Sequence, residues 1–288
     1  MKFYKDTSEN KIQCLLCGHY CNISKGHVGI CGVNKNSGNK IECLVYGYPN
    51  AVNIDPIEKK PLFHFLPKTK TFSLGTVGCN FKCSFCQNWQ LSQTHDIDTS
   101  RLYMPKDIVN FAHHYECESI SYTYNEPTIF FPYIFDIATL AHKVGIKNIM
   151  VTNGFESIEV REQMVGLIDA LNVDLKSFND KYYQKKLGGK LDIILDNLKF
   201  FVQNGIHTEI TTLLVPTHND SKEEIEKITS FIAGKLGDDI PWHISAFHPD
   251  YKEMELPRTS IESLLMAREI GYSKGIKHIH IGNVGGIL

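Results

Sequence analysis

The sequence predicts an α/β protein, namely a partial TIM-like (β/α)6 barrel preceded by a small cysteine-rich domain. From residue 71 onward, short β-rich runs alternate with helical patterns. Six or seven such units follow in series, and no Gly-x-Gly-x-x-Gly follows the first strand, which favours a barrel over a doubly wound sheet. Residues 1–70 instead hold five cysteines and little apolar patterning, so we predict two domains, 1–70 and 71–288.

The predicted barrel strands are seven β-rich runs. They cover residues 71–77, 118–124, 146–152, 170–176, 206–215, 242–247 and 276–282. The segment 41–48 is a further strand pattern within the cysteine-rich region. Because strands joined through helices pair in parallel, their carboxyl ends meet at one face of the barrel, where active sites lie.

The helices between these strands have apolar residues spaced near i, i+3 and i+4. Four are clear, at 106–116, 134–145, 195–205 and 221–237. Ser221 and Glu224 form a capping-box pattern at a helix start. Gly145, Gly205 and Gly275 stand where helices should end before the next strand.

Composition and charge exclude several classes of protein. The 288 residues carry 30 Lys and Arg against 32 Asp and Glu, a net charge of −2 that offers no general nucleic-acid surface. The amino-terminal stretch is polar, so we expect no signal peptide. The most apolar passage, 128–141, is interrupted by Pro132 and Asp136 and is too short to cross a bilayer. We expect a cytoplasmic protein with neither membrane nor nucleic-acid partners.

Three thiols follow the first predicted barrel strand. Cys79, Cys83 and Cys86 fall within eight residues. In a reducing compartment clustered thiols indicate a metal site, and cysteines hold [4Fe–4S] clusters. Three cysteines can bind three of four irons, which leaves the fourth iron to a ligand that is not protein. Structural zinc needs a fourth protein ligand, and neither Asn88 nor the distant His95 suits that role. The alternative is a set of buried, unliganded thiols.

A second group of cysteines lies near the amino terminus. Its members are Cys14, Cys17, Cys21 and Cys31. Four clustered thiols near glycines suit a closed metal site, and zinc and an auxiliary Fe–S cluster both remain open. His19 is a candidate to replace one thiol, and the alternative is no metal at all. Cys43 and Cys117 lie in strand-like settings and are expected to be core thiols.

The spacing Cys-x3-Cys-x2-Cys, with Phe85 before the last cysteine, resembles the radical SAM superfamily. The resemblance implies a barrel of the radical SAM type and S-adenosylmethionine bound to the fourth iron through its amino and carboxylate groups. It implies an enzyme that cleaves S-adenosylmethionine reductively to a 5′-deoxyadenosyl radical, which abstracts hydrogen from a substrate that the sequence does not name. An electron donor such as ferredoxin or flavodoxin would supply the electron.

Polar residues at the next two strand ends resemble cofactor-binding motifs of that superfamily. Glu126 can accept a hydrogen bond from the ammonium of S-adenosylmethionine. The string Tyr124-Asn125-Glu126 resembles the Gly-Gly-Glu motif, with Tyr124 and Asn125 in place of the two glycines. The alternative role of Glu126 is a helix cap. Thr152 and Asn153, followed by glycine, resemble the motif near the nucleoside, and their alternative is a plain turn.

Two further strand ends carry candidate cofactor-binding residues. Asp174 and Lys176 share one face of a strand and should point into the barrel mouth, either as an ion pair or as a ligand site. Their Asp-Leu-Lys string resembles pyruvate formate-lyase activating enzymes. His248 is a weaker candidate for contact with adenine or substrate, because a lone rim histidine is as often structural.

Residues 14–282 resemble the radical SAM enzymes of the AmmeMemoRadiSam system, relatives of the glycyl-radical activating enzymes. The strings that carry this resemblance are 14–34, 46–65, 78–93, 122–130, 151–155 and 280–284, and within 46–65 the passage 55–65 is the most specific. The resemblance implies one of two substrates. The first is a glycyl residue in a large partner protein, and the second is a smaller molecule handled with companion proteins. Relatives often continue past 280–284 into a Cys-containing tail, so we expect no role of such a tail here. The competing hypothesis is a non-catalytic metal scaffold that binds a partner through residues 1–70.

Overall fold

The computed structural model describes residues 2–7 and 11–285. The strands within these residues are β1 Tyr4–Asp6, β2 Lys11–Cys14, β3 Asn22–Ser24, β4 Asn34–Asn36, β5 Ile41–Cys43, β6 Ala51–Pro56, β7 Lys70–Gly75, β8 Ser119–Tyr122, β9 Lys147–Thr152, β10 Ala170–Asp174, β11 His207–Leu214, β12 Trp242–Ala246 and β13 Ile279–Gly282. The α-helices are α1 Trp89–Ser92, α2 Pro105–His114, α3 Phe131–Lys143, α4 Ile158–Met164, α5 Asp180–Tyr182, α6 Leu191–Gln203, α7 Lys222–Phe231 and α8 Ile261–Ser273. Short 3₁₀ turns cover Ile57–Lys59 and Pro127–Phe130, and π-helical turns cover Tyr183–Leu187 and Ile232–Leu236.

Strands β6 to β13 form one eight-stranded sheet in chain order. The seven strands from β7 to β13 are parallel, and β6 pairs antiparallel with β7. The two edge strands, β6 and β13, are not paired with each other, so the barrel is open. This arrangement confirms the predicted α/β class and partial TIM-like barrel, with a seventh parallel strand beyond six.

The barrel strands are buried on both faces, as parallel strands covered by helices should be. In β8 all four residues are buried, and in β7 only the first is exposed. The helices α2, α3, α6 and α7 lie largely within the predicted ranges, although α3 and α6 begin earlier. The structure adds α4 and α8, which the apolar spacing did not predict. No helix among the described residues is long and apolar enough to cross a membrane.

The amino-terminal segment contains two small antiparallel units, β1–β2–β3 and β4–β5. The strand predicted at 41–48 is wrong in extent, because only Ile41–Cys43 is extended and the chain then turns. The predicted domains also include residues 1, 8–10 and 286–288, which lie outside the described residues. The division near residue 70 remains a prediction, and β6 belongs to the barrel sheet.

Residues 57–69, called the plug below, cross the amino-terminal half of the barrel interior. Leu62 is buried against Ile149. Asn172 Nδ2 donates to the Pro61 carbonyl at 2.7 Å. The carboxylate of Glu209 accepts the two backbone N–H groups of Phe63 and His64 at 3.1 and 2.9 Å. The passage 55–65 therefore closes the barrel from below.

Candidate functional site

A cavity opens at the carboxyl ends of the barrel strands. Its volume is about 270 Å³, close to the lower end of the roughly 300–1,000 Å³ usual for small-molecule sites. It is lined by all three thiols predicted to bind the cluster and by most of the predicted cofactor-binding residues. The candidate residues on its wall are Cys79, Cys83, Cys86, Asn125, Glu126, Thr152, Asn153, Asp174 and Lys176. Pro61 of the plug also lines the cavity.

The loop that carries the three thiols is held by hydrogen bonds between the Asn125 side chain and the loop backbone. Asn125 Nδ2 donates to the Gly78 carbonyl at 2.9 Å, and Asn125 Oδ1 accepts the Thr76 N–H at 3.0 Å. Gly78 has a φ of +86°, and a Cβ there would lie 2.5 Å from the Cys31 carbonyl oxygen. Asn125 therefore holds the loop in place with much of its side chain engaged.

The donor set around this loop fits a cluster held by three thiolates. All nine cysteines are free thiols. No fourth cysteine and no histidine from the described residues lines the cavity. No three of the described Cys, His, Asp or Glu side chains converge as a single metal ion requires. Three thiolates can each bind one iron of a cubane, whereas structural zinc takes four protein ligands, so the donor set fits a [4Fe–4S] cluster.

Burial controls the protonation of these thiols. It raises the pKa of Cys83 to about 12, with the nearby Lys176 ammonium acting in the opposite direction. Burial also raises the pKa of Cys79 well above its ordinary value, and the charge of Glu126 adds to the effect. Cys79 and Cys83 are therefore protonated without a metal, and metal binding would release their protons.

Glu126 is buried at 3% exposure, and both of its carboxylate oxygens accept hydrogen bonds. Its Oε1 accepts the N–H and hydroxyl of Thr128 at 3.0 and 2.6 Å. Its Oε2 accepts the Asn153 N–H at 2.8 Å. Burial raises the pKa of Glu126 while these bonds lower it. The side chain thus caps the 3₁₀ turn Pro127–Phe130 and also lines the cavity, so both roles considered for it fit its position.

Asp174 and Lys176 form an ion pair, with Nζ and Oδ2 2.7 Å apart. Burial pulls the pKa of Lys176 down, but the charges of Asp174 and Cys83 outweigh burial and raise it above its ordinary value. The ammonium therefore stays charged on the cavity wall beside the thiol loop. Tyr183 fixes this turn by accepting the Lys176 backbone N–H at 2.9 Å.

His248 does not line the cavity. Its Nδ1 lies 3.0 Å from Gln87 Nε2, next to the last cluster thiol in the chain. The same 248–253 loop contacts the thiol loop again where Tyr251 stacks on Trp89, with ring centroids 5.3 Å apart. This histidine thus buttresses the thiol loop from outside.

A second buried carboxylate lies behind Glu126, and the sequence reasoning missed it. Glu156 is 1% exposed, and its Oε1 is 2.5 Å from the Thr152 hydroxyl, which also contacts Glu126. Gly154, with a φ of +75°, turns the chain after β9 and brings Glu156 back to this position. The only sequence signal is an acidic residue two positions after that glycine.

The four amino-terminal thiols surround a separate, much smaller cavity of about 10 Å³. These are Cys14, Cys17, Cys21 and Cys31. Burial raises the pKa of Cys14 to about 12, and the charges of Cys31 and Cys21 add to it. His19 lines the same cavity, but its Nε2 lies 2.9 Å from the Asn80 carbonyl. Cys17 forms an isolated antiparallel bridge with Glu156, which ties this segment to the barrel.

Comparison with known proteins places the chain in a family. Residues 73–232, more than half of the chain, match the Radical SAM superfamily model. An uncharacterised protein of Methanocaldococcus jannaschii is 40% identical over 285 residues, covering 99% of this chain and 85% of its own length. The pyruvate formate-lyase-activating enzyme of Clostridium pasteurianum is 26% identical over 161 residues, which are 54% of this chain and 66% of that enzyme.

Solved structures share the fold. A radical SAM methyltransferase from Sphaerobacter thermophilus gives a TM-score of 0.58 at 15% identity, covering 76% of this chain and 67% of that one. Streptococcus suis SuiB bound to S-adenosylmethionine gives a TM-score of 0.57 at 17% identity, covering 72% of this chain and 48% of that one. The radical SAM family implies a [4Fe–4S] cluster and S-adenosylmethionine, and the donor set of the cavity fits both. The chain therefore belongs to the radical SAM superfamily and is a radical SAM enzyme.

Proposed function

We propose that Cys79, Cys83 and Cys86 bind a [4Fe–4S] cluster whose fourth iron is left to S-adenosylmethionine. The observation that carries this proposal is a cavity lined by three thiols, two carboxylates and an ammonium, with no fourth thiol or imidazole from the described residues. A zinc scaffold would need that fourth ligand.

When bound, the cluster supplies one electron that cleaves S-adenosylmethionine to methionine and a 5′-deoxyadenosyl radical, which removes hydrogen from a substrate. The chain's own residues bind and orient the cosubstrate. Glu126 accepts the ammonium, and the Lys176 ammonium complements the carboxylate. Asp174, at the same strand end, approaches the cosubstrate while holding Lys176 in place. Thr152 and Asn153 line the wall on the nucleoside side.

Product analysis after anaerobic reconstitution tests the proposal. Dithionite-reduced wild-type protein should form 5′-deoxyadenosine from S-adenosylmethionine, and C83A should lose at least a hundredfold of this rate. C117A is the matched control, because Cys117 is a buried thiol outside the cavity. Reduced wild-type protein that never forms 5′-deoxyadenosine would contradict the proposal.

The scaffold hypothesis makes a different prediction for Glu126. A scaffold needs no partner for a bound amino acid, so E126A should leave affinity for S-adenosylmethionine unchanged. A binding role predicts a loss of at least tenfold, because a charge-assisted hydrogen bond is worth about 1.5–3 kcal/mol. Equilibrium dialysis of the reconstituted proteins separates the two.

We propose that the substrate is a small polar molecule, handled with the companion proteins of the AmmeMemoRadiSam system that residues 14–282 resemble. The cavity wall supports this. Asn172 Oδ1 and Thr211 Oγ1 are buried without hydrogen-bond partners among the described residues, and both residues line the cavity. Asn172 Nδ2 is committed to Pro61, so its Oδ1 remains an acceptor.

The alternative is activation of a glycyl-radical enzyme, which the similarity to pyruvate formate-lyase-activating enzymes favours. Size fractionation of a cell extract separates the two substrates. A low-mass filtrate should stimulate 5′-deoxyadenosine formation in wild type, and T211V with N172L should lose the stimulation. Stimulation by the protein fraction alone would favour the activase.

We propose further that the four amino-terminal thiols bind an auxiliary [4Fe–4S] cluster rather than zinc. Four thiols line one cavity, and four cysteine thiolates are the ligand set of a [4Fe–4S] cluster. Anaerobically reconstituted wild type should contain about eight iron atoms, from two cubanes of four. C17A with C21A should retain about half, and one zinc atom per chain would contradict the second cluster. A ferredoxin or flavodoxin is the proposed electron donor.

A further inference from the structure

Two buried carboxylates share the same pair of hydroxyl groups. Glu126 Oε1 lies 2.6 Å from the Thr128 hydroxyl and 2.9 Å from the Thr152 hydroxyl. Glu156 Oε1 lies 3.2 and 2.5 Å from the same two hydroxyls. Both acids are nearly inaccessible to water, at 3% and 1% exposure. The protons in this group can therefore be counted.

Two hydroxyl protons cannot serve four oxygen–oxygen contacts. If both carboxylates were ionised, two of these contacts would set lone pairs against lone pairs in a buried site. A proton on Glu156 removes one of these two conflicts. It is donated to Thr152 at 2.5 Å, the Thr152 and Thr128 hydroxyls donate to Glu126, and only the longest contact, 3.2 Å, lacks a proton.

The surroundings decide which acid carries the proton. Glu126 accepts two backbone N–H groups, from Thr128 and Asn153, and such bonds favour the charged form. Glu156 Oε2 accepts only from Asn197 Nδ2, at 3.4 Å, among the described residues. Burial, followed by the charge of Glu126, raises the pKa of Glu156 to about 7.

Few other ionisable groups of the described chain face this pair. The guanidinium of Arg161 reaches Asn197 Oδ1 at 3.0 Å, one residue removed from Glu156. Cys79 faces Glu126 from the thiol loop. Cys17 pairs with Glu156 through the backbone of the amino-terminal segment.

We infer that Glu156 is a positioning residue, a neutral acid that donates to Thr152 and keeps a single negative charge on Glu126 at the cavity wall. Its effect on S-adenosylmethionine rests on the proposed role of Glu126. The protonation of Glu156 does not rest on that role, because it follows from hydrogen-bond contacts that are present without the cluster.

Infrared spectroscopy of the protein without cluster tests the proton directly. Wild type should show the C=O stretch of one buried protonated carboxyl, and this band should persist to a higher pH than that of an ordinary glutamic acid, because burial raises the pKa of Glu156. E156Q should lack this band. E159Q is the matched control, since Glu159 lies three residues away and bonds Tyr20, and it should retain the band. A band that persists in E156Q, or is absent from wild type, would overturn the inference.

Binding measurements on reconstituted protein test the positioning role. The amide of E156Q can still donate to Thr152, so its affinity for S-adenosylmethionine at pH 7 should stay within about threefold of wild type, while E156A should lose about tenfold, as expected for one lost hydrogen bond. Equal losses in both variants would contradict positioning by a donor. If reduced wild type forms no 5′-deoxyadenosine, the proposed function fails. The infrared result still decides whether Glu156 carries a proton.

Discussion

At the scale of single residues, the sequence predicts a site residue well when it directly follows a strand. Glu126, Asp174 and Lys176 were placed on the cavity by this rule, and the cavity contains them. Their roles toward S-adenosylmethionine remain proposals. Glu156 escaped because its position depends on the turn at Gly154 and on contacts between distant segments. His248 also follows a strand, but it does not line the cavity and instead contacts Gln87 beside the thiol loop.

Gly78 should tolerate no side chain. Its φ of +86° opposes one, and so does the Cys31 carbonyl oxygen, which lies 2.5 Å from the point that a Cβ would occupy. Alanine there should destabilise the fold by about 2 kcal/mol or more, because left-handed backbone alone costs roughly 1–2 kcal/mol per residue. G166A is the matched control, since Gly166 has a φ of +74° with no atom within 4 Å of a Cβ. Urea unfolding measures both, and equal losses would show that the clash is relieved.

Lys176 should matter for cosubstrate binding more than for folding. K176M removes the ammonium from the cavity wall and leaves Asp174, 33% exposed, to be hydrated. We expect affinity for S-adenosylmethionine to fall at least tenfold, since charge-assisted bonds are worth about 1.5–3 kcal/mol. K185M, at a lysine outside the cavity lining, is the control in the same dialysis experiment. Unchanged affinity in K176M would remove this residue from the site.

At the scale of elements, the plug explains the most specific passage of the sequence. The Asp55 carboxylate forms ion pairs with two adjacent lysines, Lys59 and Lys60. Lys60 is buried, with its Nζ 2.7 Å from the Asp55 carboxylate and over the Tyr124 ring, whereas Lys59 is exposed. Adjacent identical residues give no sequence signal for this difference. It follows from the fold, because the 3₁₀ turn directs only one of them into the barrel.

Breaking the buried ion pair between Asp55 and Lys60 should lower the free energy of unfolding substantially. D55N leaves the Lys60 ammonium without its carboxylate, and removing one partner of a buried ion pair typically costs about 3–5 kcal/mol. K59M, which removes only the exposed partner, should cost about 1 kcal/mol or less. Urea unfolding at pH 7 compares them. Similar losses would mean that Lys60 is solvated in solution.

Acid should loosen the plug from the barrel. Despite burial, hydrogen bonds from His207, His243 and the plug backbone hold the pKa of Glu209 below its ordinary value. Burial lowers the pKa of His280 to about 4. Both groups bind fewer protons when folded. The lowered pKa of His280 therefore costs stability as the pH falls from about 6.5 to about 4, whereas the contribution of Glu209 is present above about pH 4.5 and is lost as the pH falls below that value. Below about pH 4.5 the unfolding free energy of E209Q should depend less on pH than that of wild type. An unchanged pH slope would rule out this anchor.

At the scale of the whole molecule, alternating strand and helix patterns were enough to predict the open barrel and the face that carries its cavity. They did not predict β6, which pairs antiparallel at the sheet edge, or the return of residues 57–69 into the barrel. Local periodicity carries no information about such long-range contacts. The α8 helix was missed although Ser260 caps it by accepting the Ser263 N–H at 3.0 Å.

The central claim is that three thiols hold a cluster and leave one iron for S-adenosylmethionine. Crystals of anaerobically reconstituted protein with S-adenosylmethionine, measured at the iron absorption edge, test it most directly. The account predicts four irons at the loop of Cys79, Cys83 and Cys86, with the amino and carboxylate groups of S-adenosylmethionine on the fourth. A single zinc ion at this loop, or a fourth iron bound by a protein side chain, would contradict it.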